Sequence, residues 1–271
     1  MAQGFCLKPC QLAEHLHPKA PQMPGTVPPA PVGLSLCLLA ATLLSGCTTS
    51  TVSLPAACSS STSPPPQGPE VQVYFGCGCF WHMQHGFVVS EISDLCRQDG
   101  NITARTAYAG GTHIGSGGLV CYHNFQGVAD YGSLGHAEVV AMTVPEEAFG
   151  RFASEFWELC KGGNRADPQD AGGEYRSVVG LPGGIQSPLM GQLREGAGQT
   201  QLVAGIGNEG DTIGTGQVFV YDTAKFPAHT AEKYHQFHDD MLESYGYAYN
   251  SLQRFAARSR CPELGARLLL G

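Results

Sequence analysis

Charged side chains are scarce in this chain. Asp, Glu, Lys and Arg make up only 14% of its 271 residues, against a usual ~25%. The 15 basic residues are outnumbered by 23 acidic ones, for a net charge of −8. No basic run occurs anywhere, which excludes an electrostatic footprint for nucleic acid. Paired Cys-x-x-Cys knuckles of the zinc type are missing as well. The eleven cysteines are also too sparse for a chain of this length to predict a disulfide scaffold, although redox use of some stays open. The apolar run from Gly33 to Leu44 is too short to span a bilayer. Glycine, by contrast, is frequent at 36 residues, and a compact, loop-rich fold follows.

The first 69 residues hold one acidic residue, Glu14, and two basic ones, Lys8 and Lys19. Their apolar run fits the core of an export signal, and the Ser/Pro-rich stretch after it has nothing with which to build a core. Residues 1–69 therefore read as a leader and linker, and 70–271 as the folded domain. Leu44-Ser45-Gly46-Cys47 looks like a bacterial lipoprotein box that would lipidate Cys47. The long stretch before the apolar run and the Ser/Thr-rich composition equally suit organelle import, or a start codon set too early. Membrane contact is expected only through such a signal or anchor.

From Glu70 onward strands and helices mix. Strands are predicted at EVQVYF, ITARTAYAGG, HAEVVAMTV, EYRSVVGL, TQLVAGI and GQVFVYD. One helix is predicted from Cys79, with Phe80, Met83, Phe87, Ile92 and Leu95 on its apolar side, and a second from Pro145, carrying Phe149, Phe152, Phe156 and Leu159. A last helix is predicted from Thr230, with Tyr234, Phe237, Met241 and Leu242 as its buried stripe. Strands and helices do not alternate regularly, so the expected class is α+β: a two-layer sandwich of a mixed sheet and flanking helices.

The stretch FGCGCFWHMQHGF sets the chemical question. Cys79 stands where a strand gives way to a helix, and a helix N-terminus favours thiolate over thiol. Gly76 and Gly78 allow the tight turn that leaves its sulfur uncovered. Cys77 fits a packing role better. Neighbouring helical residues point about 100° apart, so Phe80 and Trp81 are not both expected beneath one face. One or both should line a cleft beside Cys79, suited to a small apolar group such as a methyl thioether.

With these residues in view, the chain resembles the peptide methionine sulfoxide reductases of the A class. The resemblance rests on GCFW (78–81), YAGG (108–111), GHAEVV (135–140), FWE (156–158), DAGGEYRS (170–177) and AEKYHQ (231–236), in that order. It implies reduction of methionine-S-sulfoxide in oxidised proteins or peptides, with Cys79 as the nucleophile. Phe80 and Trp81 would hold the substrate methyl. Glu138 would be the carboxylic acid that protonates the departing oxygen, Tyr175 would bind that oxygen, and Asp170 would position the site. No metal or organic cofactor is implied. Thioredoxin or another thiol is the expected external reductant, working through a resolving cysteine for which Cys261 is the candidate, or directly on Cys79. Cys77 is a poorer resolver.

Three departures stand out. His82 replaces the family's usual glycine and is placed among the substrate-binding residues. The segment VCYHNFQGVADYGSLGHAE puts Phe125 where a pocket tyrosine is usual, with Tyr122 and Tyr131 as alternatives. CKGGNRADPQ replaces the HDPT block. A non-catalytic thiol redox sensor or binding module on the same fold is the alternative function. GIGNEG (205–210) has dinucleotide-loop spacing but no helix after it. The His235/His238 pair, and Cys77 with Cys79, His82 and His85, are weak metal signals.

Overall fold

The computed structural model describes Leu54, Pro55, Cys58 and residues 65–262. The proposed signal and the Cys47 box lie outside the described residues. The elements in chain order are β1 (Glu70–Gly76), α1 (Phe80–Leu95), β2 (Arg105–Ala109), β3 (Ala137–Pro145), α2 (Phe149–Leu159), β4 (Val178–Leu181), α3 (Met190–Glu195), β5 (Gln201–Ala204), β6 (Gln217–Asp222), β7 (His229–Thr230) and α4 (Gly246–Asn250). Seven strands form one mixed sheet in the order β5-β6-β4-β1-β3-β2-β7. β1 runs antiparallel to both β3 and β4, while β6 lies parallel to β4 and β5. This is an α+β architecture with a mixed sheet and flanking helices, as expected. No described helix is long and apolar enough to cross a membrane.

The period-two pattern of β1 divides its side chains between two cores. Phe75 stacks on Phe87 of α1, with ring centroids 5.0 Å apart, and on Phe149 of α2 at 6.1 Å, and meets the tilted ring of Phe156 at 5.4 Å. On the other face Tyr74 joins Ala107, Ala109, Val139, Val178 and Tyr221, and Phe226 and Ala228 pack against that group. Fully burying side chains of this size stabilises by roughly 1.5–3 kcal/mol each. They fix β1 as the strand that delivers the Gly76–Cys79 turn.

α1 is buried well beyond one stripe. Gln84 and Glu91 are solvent-free, and each satisfies backbone of the adjoining strand region. Gln84 donates to the Ala104 carbonyl and accepts from the Phe237 amide, while Glu91 accepts from the amides of Thr103 and Ala104. A buried polar group is tolerable only with such partners. Arg176, 1% exposed, ties three sequence blocks together. It donates to the carbonyls of Gly110 (3.0 Å), Gly135 (2.9 Å) and Gly173 (2.7 Å), and to the Tyr221 hydroxyl (3.0 Å).

Two expectations change here. The long C-terminal helix does not form. Thr230 ends β7, a 3-10 turn covers Lys233–His235, and helix resumes only at α4. The buried Gln236 side chain instead pairs with both the amide and the carbonyl of Thr106. Phe237 turns to φ +55, and Asp239 and Asp240 accept from the amides of Tyr245, Leu242 and Glu243. Side-chain bonds to backbone of this kind compete with helix. Of the predicted stripe Phe237 is buried, whereas Tyr234 and Leu242 are 42% and 58% exposed.

The second change concerns cysteine. Three disulfides join Cys58–Cys96, Cys77–Cys160 and Cys121–Cys261, across 38, 83 and 140 residues. Separations of that size leave no local spacing to read. Closing such loops stabilises by roughly 2–4 kcal/mol each. Cys77 is thus bonded to the end of α2 rather than simply packed, and Cys79 keeps its thiol.

Candidate active site

Cys79 caps the N-terminus of α1 in extended conformation, and its residue is only partly exposed. The turn before it depends on two glycines. A Cβ on Gly76 would lie 2.4 Å from the Glu138 carbonyl oxygen, and Gly78 has φ +77 with Asp170 Oδ2 3.0 Å from a virtual Cβ. Gly78→Ala is therefore expected to destabilise by at least the ~1–2 kcal/mol that left-handed backbone costs an L-residue. Denaturant midpoints read that loss.

Three successive amides at this turn are claimed by residues far away in sequence. Gly78 N–H donates to the Tyr175 carbonyl, Cys79 N–H to Asp170 Oδ2 and Phe80 N–H to Glu138 Oε2, each at 3.0 Å. Acceptor oxygens suit the unpaired amides at the start of a helix. Glu138, the second residue of β3, is 0% exposed and Asp170 is 5% exposed. β3 lies beside β1 in the sheet, and the Glu138 carboxyl meets the first amide of α1. Asp170 is held by its own loop: the guanidinium of the buried Arg165 donates to the Asp170 carbonyl and to the Asp211 carboxylate, and bonds Thr212 Oγ1 at 3.3 Å.

The second oxygen of Glu138, Oε1, lies 3.3 Å from the hydroxyl of Tyr131. Tyr131 is fully buried, with its ring 4.5 Å from Tyr108 and 5.7 Å from Tyr122. Burial first, then the nearby Glu138, Glu174, Tyr175 and Tyr122, hold its phenol well above the usual tyrosine range. Of the alternatives for the pocket tyrosine, Tyr131 is the one that meets the acid. Tyr122 meets the tilted ring of His235 at 4.4 Å, and Phe125 is 85% exposed.

Phe80 and Trp81 are both buried, at 0% and 1%, so neither lines an open cleft. The turn after β7 supplies the cover: His238 stacks on Trp81 at 4.4 Å, His235 lies 5.3 Å from Phe80 and 5.8 Å from Trp81, and Tyr234 meets the indole edge. The irregular segment that replaced the predicted helix is what closes over them. Beneath it Trp81 Nε1 and both His235 ring nitrogens are buried without a hydrogen-bond partner. His82 turns to the chain just after this cover, with Nδ1 3.4 Å from Asp240 Oδ2.

Cys261 is brought not to Cys79 but to Cys121, as a disulfide, so its sulfur is no thiol in this state. Glu232, Cys121 and Cys261 present ligand-type atoms within 4.8 Å of one another. Both sulfurs are spent in the bond, and Glu232 already accepts from the Tyr108 hydroxyl and the Tyr122 amide, at 2.8 and 2.9 Å. Residue-by-residue reading missed Glu232, Arg165, His123 and Glu174. Glu174 and Glu232 carried a signal, as members of the DAGGEYRS and AEKYHQ blocks, whereas His123 and Arg165 lie in the two divergent segments.

The buried histidines carry a pH consequence. Burial first, with His238 and His123 adding to it, drives the His235 pKa from 6.5 down to about 3, and burial drives His85 and His136 down to about 4. A depressed pKa contributes stability above the unfolded value of 6.5 that is lost as pH falls through the folded value. Each such group contributes a slope of up to ~1.4 kcal/mol per pH unit. The thermal midpoint is therefore expected to fall between about pH 6.5 and pH 4, with a shallower fall in His235→Phe.

No protein-family model and no curated protein matches the chain significantly. Among solved structures it is similar to methionine sulfoxide reductase A of Corynebacterium diphtheriae, at 17% identity and a TM-score of 0.38, covering 64% of this chain and 80% of that one. It is also similar to Mxr1 from Saccharomyces cerevisiae in its reduced form, at 18% identity and a TM-score of 0.40, covering 69% and 89%. The same protein in an unusual oxidised form gives 17%, 0.25, 49% and 64%. At these values the likeness bears on neither family nor activity.

Proposed function

We propose that this protein is a thiol-dependent oxidoreductase that reduces methionine-S-sulfoxide in proteins or peptides. The observation that carries the reading is the Glu138 carboxyl on the amide of Phe80, the residue next to the Cys79 thiol, in a solvent-free position. Sulfoxide oxygen is a poor leaving group until it is protonated. A buried carboxyl favours its neutral form and can supply that proton. The same neutral form keeps a second negative charge away from a Cys79 thiolate.

In the first half-reaction Cys79 sulfur attacks the sulfoxide sulfur as the oxygen takes the proton from Glu138. An S–S bond forms as the S–O bond breaks and the protonated oxygen leaves as water; a water molecule then attacks the Cys79 sulfur, breaking that S–S bond, so that methionine leaves and Cys79 becomes the sulfenic acid. In the second, two equivalents of an external thiol reduce that sulfenic acid to the thiol, forming one disulfide and water. Thioredoxin is one reductant of this class. With Cys261 bonded to Cys121, direct attack of the external thiol on Cys79 is the simplest return path. Tyr175 is assigned to the sulfoxide oxygen and Asp170 to holding the Cys79 backbone. Phe80 and Trp81 are assigned to the methyl group, which requires the turn at 233–238 to lift, and His82 is paired with Asp240 beside that turn. The reaction needs no metal or organic cofactor.

The test is an assay with both sulfoxide epimers in a peptide, with dithiothreitol and then with thioredoxin. Methionine is expected from the S epimer alone; no methionine from either epimer sinks the reading. The closed cover over Trp81 favours one second reading, a redox sensor whose Cys79 oxidises without turnover. Such a protein would take up oxygen from peroxide at Cys79 while releasing no methionine.

A further inference from the structure

A polar chain leads from the surface to Glu138, and its outer half has no part in the reaction as written. His123 Nδ1 lies 2.6 Å from Asp130 Oδ2 and its Nε2 3.1 Å from Glu174 Oε2. The same Glu174 oxygen is 3.2 Å from the Tyr131 hydroxyl, whose other neighbour is Glu138 Oε1 at 3.3 Å. The loop is built to hold this geometry. Cys121 and Asp130 form a bridge, and Asn124 bonds the carbonyls of Tyr122 and Val128 and the amide of Val128. Asp130 Oδ1 also accepts from the Ser133 amide at 2.9 Å.

A phenol has one hydrogen to give, and here it faces two carboxyl groups. If both were ionised, one of the two contacts would set two acceptors against each other. A proton on one carboxyl removes that clash, and the ion pair of Glu174 with His123 points to Glu138 as its carrier. We propose that His123 is a positioning residue: held between Asp130 and Glu174, it keeps the Glu174 carboxylate as acceptor for the Tyr131 hydrogen, so that the Tyr131 oxygen accepts from a protonated Glu138. This rests on the sulfoxide-reductase reading for its activity consequence, but the proton assignment stands apart from it.

The charge on His123 fits. Burial alone would lower its pKa, but the hydrogen bonds to Asp130 and Glu174 outweigh that and lift it to about 10. The other groups facing it are the rings of Tyr122 and Tyr131, at 5.1 and 4.9 Å, and His235, which stays neutral. Asp130, although burial works against its charge, is held down to about 2 chiefly by His123.

Infrared difference spectra at neutral pH test the assignment without turnover. Wild type minus Glu138→Gln is expected to show a protonated-carboxyl band, and wild type minus Glu174→Gln a carboxylate band only; the reverse assignment overturns the proposal. In the assay, His123→Gln is expected to lower kcat about tenfold with KM within about twofold, the pattern of an interaction made in the transition state. His123→Arg, which keeps a cation between the two carboxylates, should recover most of it. A His123→Gln protein with wild-type kcat overturns the proposal, as does a His123→Arg protein no faster than His123→Gln. If His123→Gln fails to fold, Asp130→Asn is measured instead: a lower kcat at unchanged KM supports the proposal, and an unchanged kcat overturns it. Wild-type protein that reduces no sulfoxide sinks the functional reading, and the infrared spectra still decide the proton assignment.

Discussion

Cys79→Ser protein is expected to release no methionine from a methionine-S-sulfoxide peptide, with dithiothreitol or with thioredoxin. A serine hydroxyl stays protonated where a thiol of ordinary pKa ~8.5 ionises readily at a helix N-terminus. Its oxygen also cannot form the S–S bond to the substrate sulfur from which the sulfenic acid arises, so no step of the cycle survives. The fold should not suffer. The contact of residue 79 with Asp170 is through its backbone amide, and the remaining described cysteines are engaged in the three disulfides. Matching circular dichroism and thermal midpoint would separate loss of chemistry from loss of structure. Mass spectrometry of the released peptide reads the outcome, and measurable turnover would put the nucleophile elsewhere.

Glu138→Gln should lower kcat by roughly 10²–10⁴, the usual contribution of a positioned general acid, with a smaller change in KM. The substitution suits the site. The amide oxygen can still accept from Phe80 N–H, and the NH₂ can face the Tyr131 oxygen that the carboxyl faces now. What is lost is a proton that can move. The second half-reaction has no use for that proton in the same place, so sulfenic acid made beforehand with peroxide should be reduced by thiol at the wild-type rate. A variant with both half-reactions slowed would point to a structural role for Glu138. One with turnover within a few-fold of wild type would remove it from the chemistry.

The elements nearest to Cys79 were legible because their signals are local. The alternation of β1, the glycines at 76 and 78 and the apolar periodicity of α1 lie within one window of chain, and the structure forms them within a residue or two. Tyr131 was within reach as an alternative, since the longer segment before GHAE pointed to that region. The aromatic pair was read with less success. Adjacent large rings argue for an open cleft only if nothing covers the helix, and the cover comes from residues 234–238, more than 150 positions away.

The C-terminal segment shows the same limit from the other side. Its apolar spacing is helical, yet Gln236 pairs with the backbone of Thr106, and Asp239 and Asp240 bind nearby amides. No propensity scale contains those competing partners. Phe237, Tyr234 and Leu242 then face where the turn sends them.

Residue order alone was sufficient for the α+β class and the strand-turn-helix around Cys79, because each rests on periodicity or on the conformational freedom of particular glycines. The partners of that thiol's neighbourhood could not be had the same way. Asp170 on the Cys79 amide, the His123–Glu174–Tyr131 path to Glu138, the pairing of Cys261 with Cys121 and the closed cover over Trp81 all join residues far apart in the chain. Such contacts are set by how the sheet and its loops pack, and packing brings together side chains whose spacing along the sequence carries no trace of the meeting.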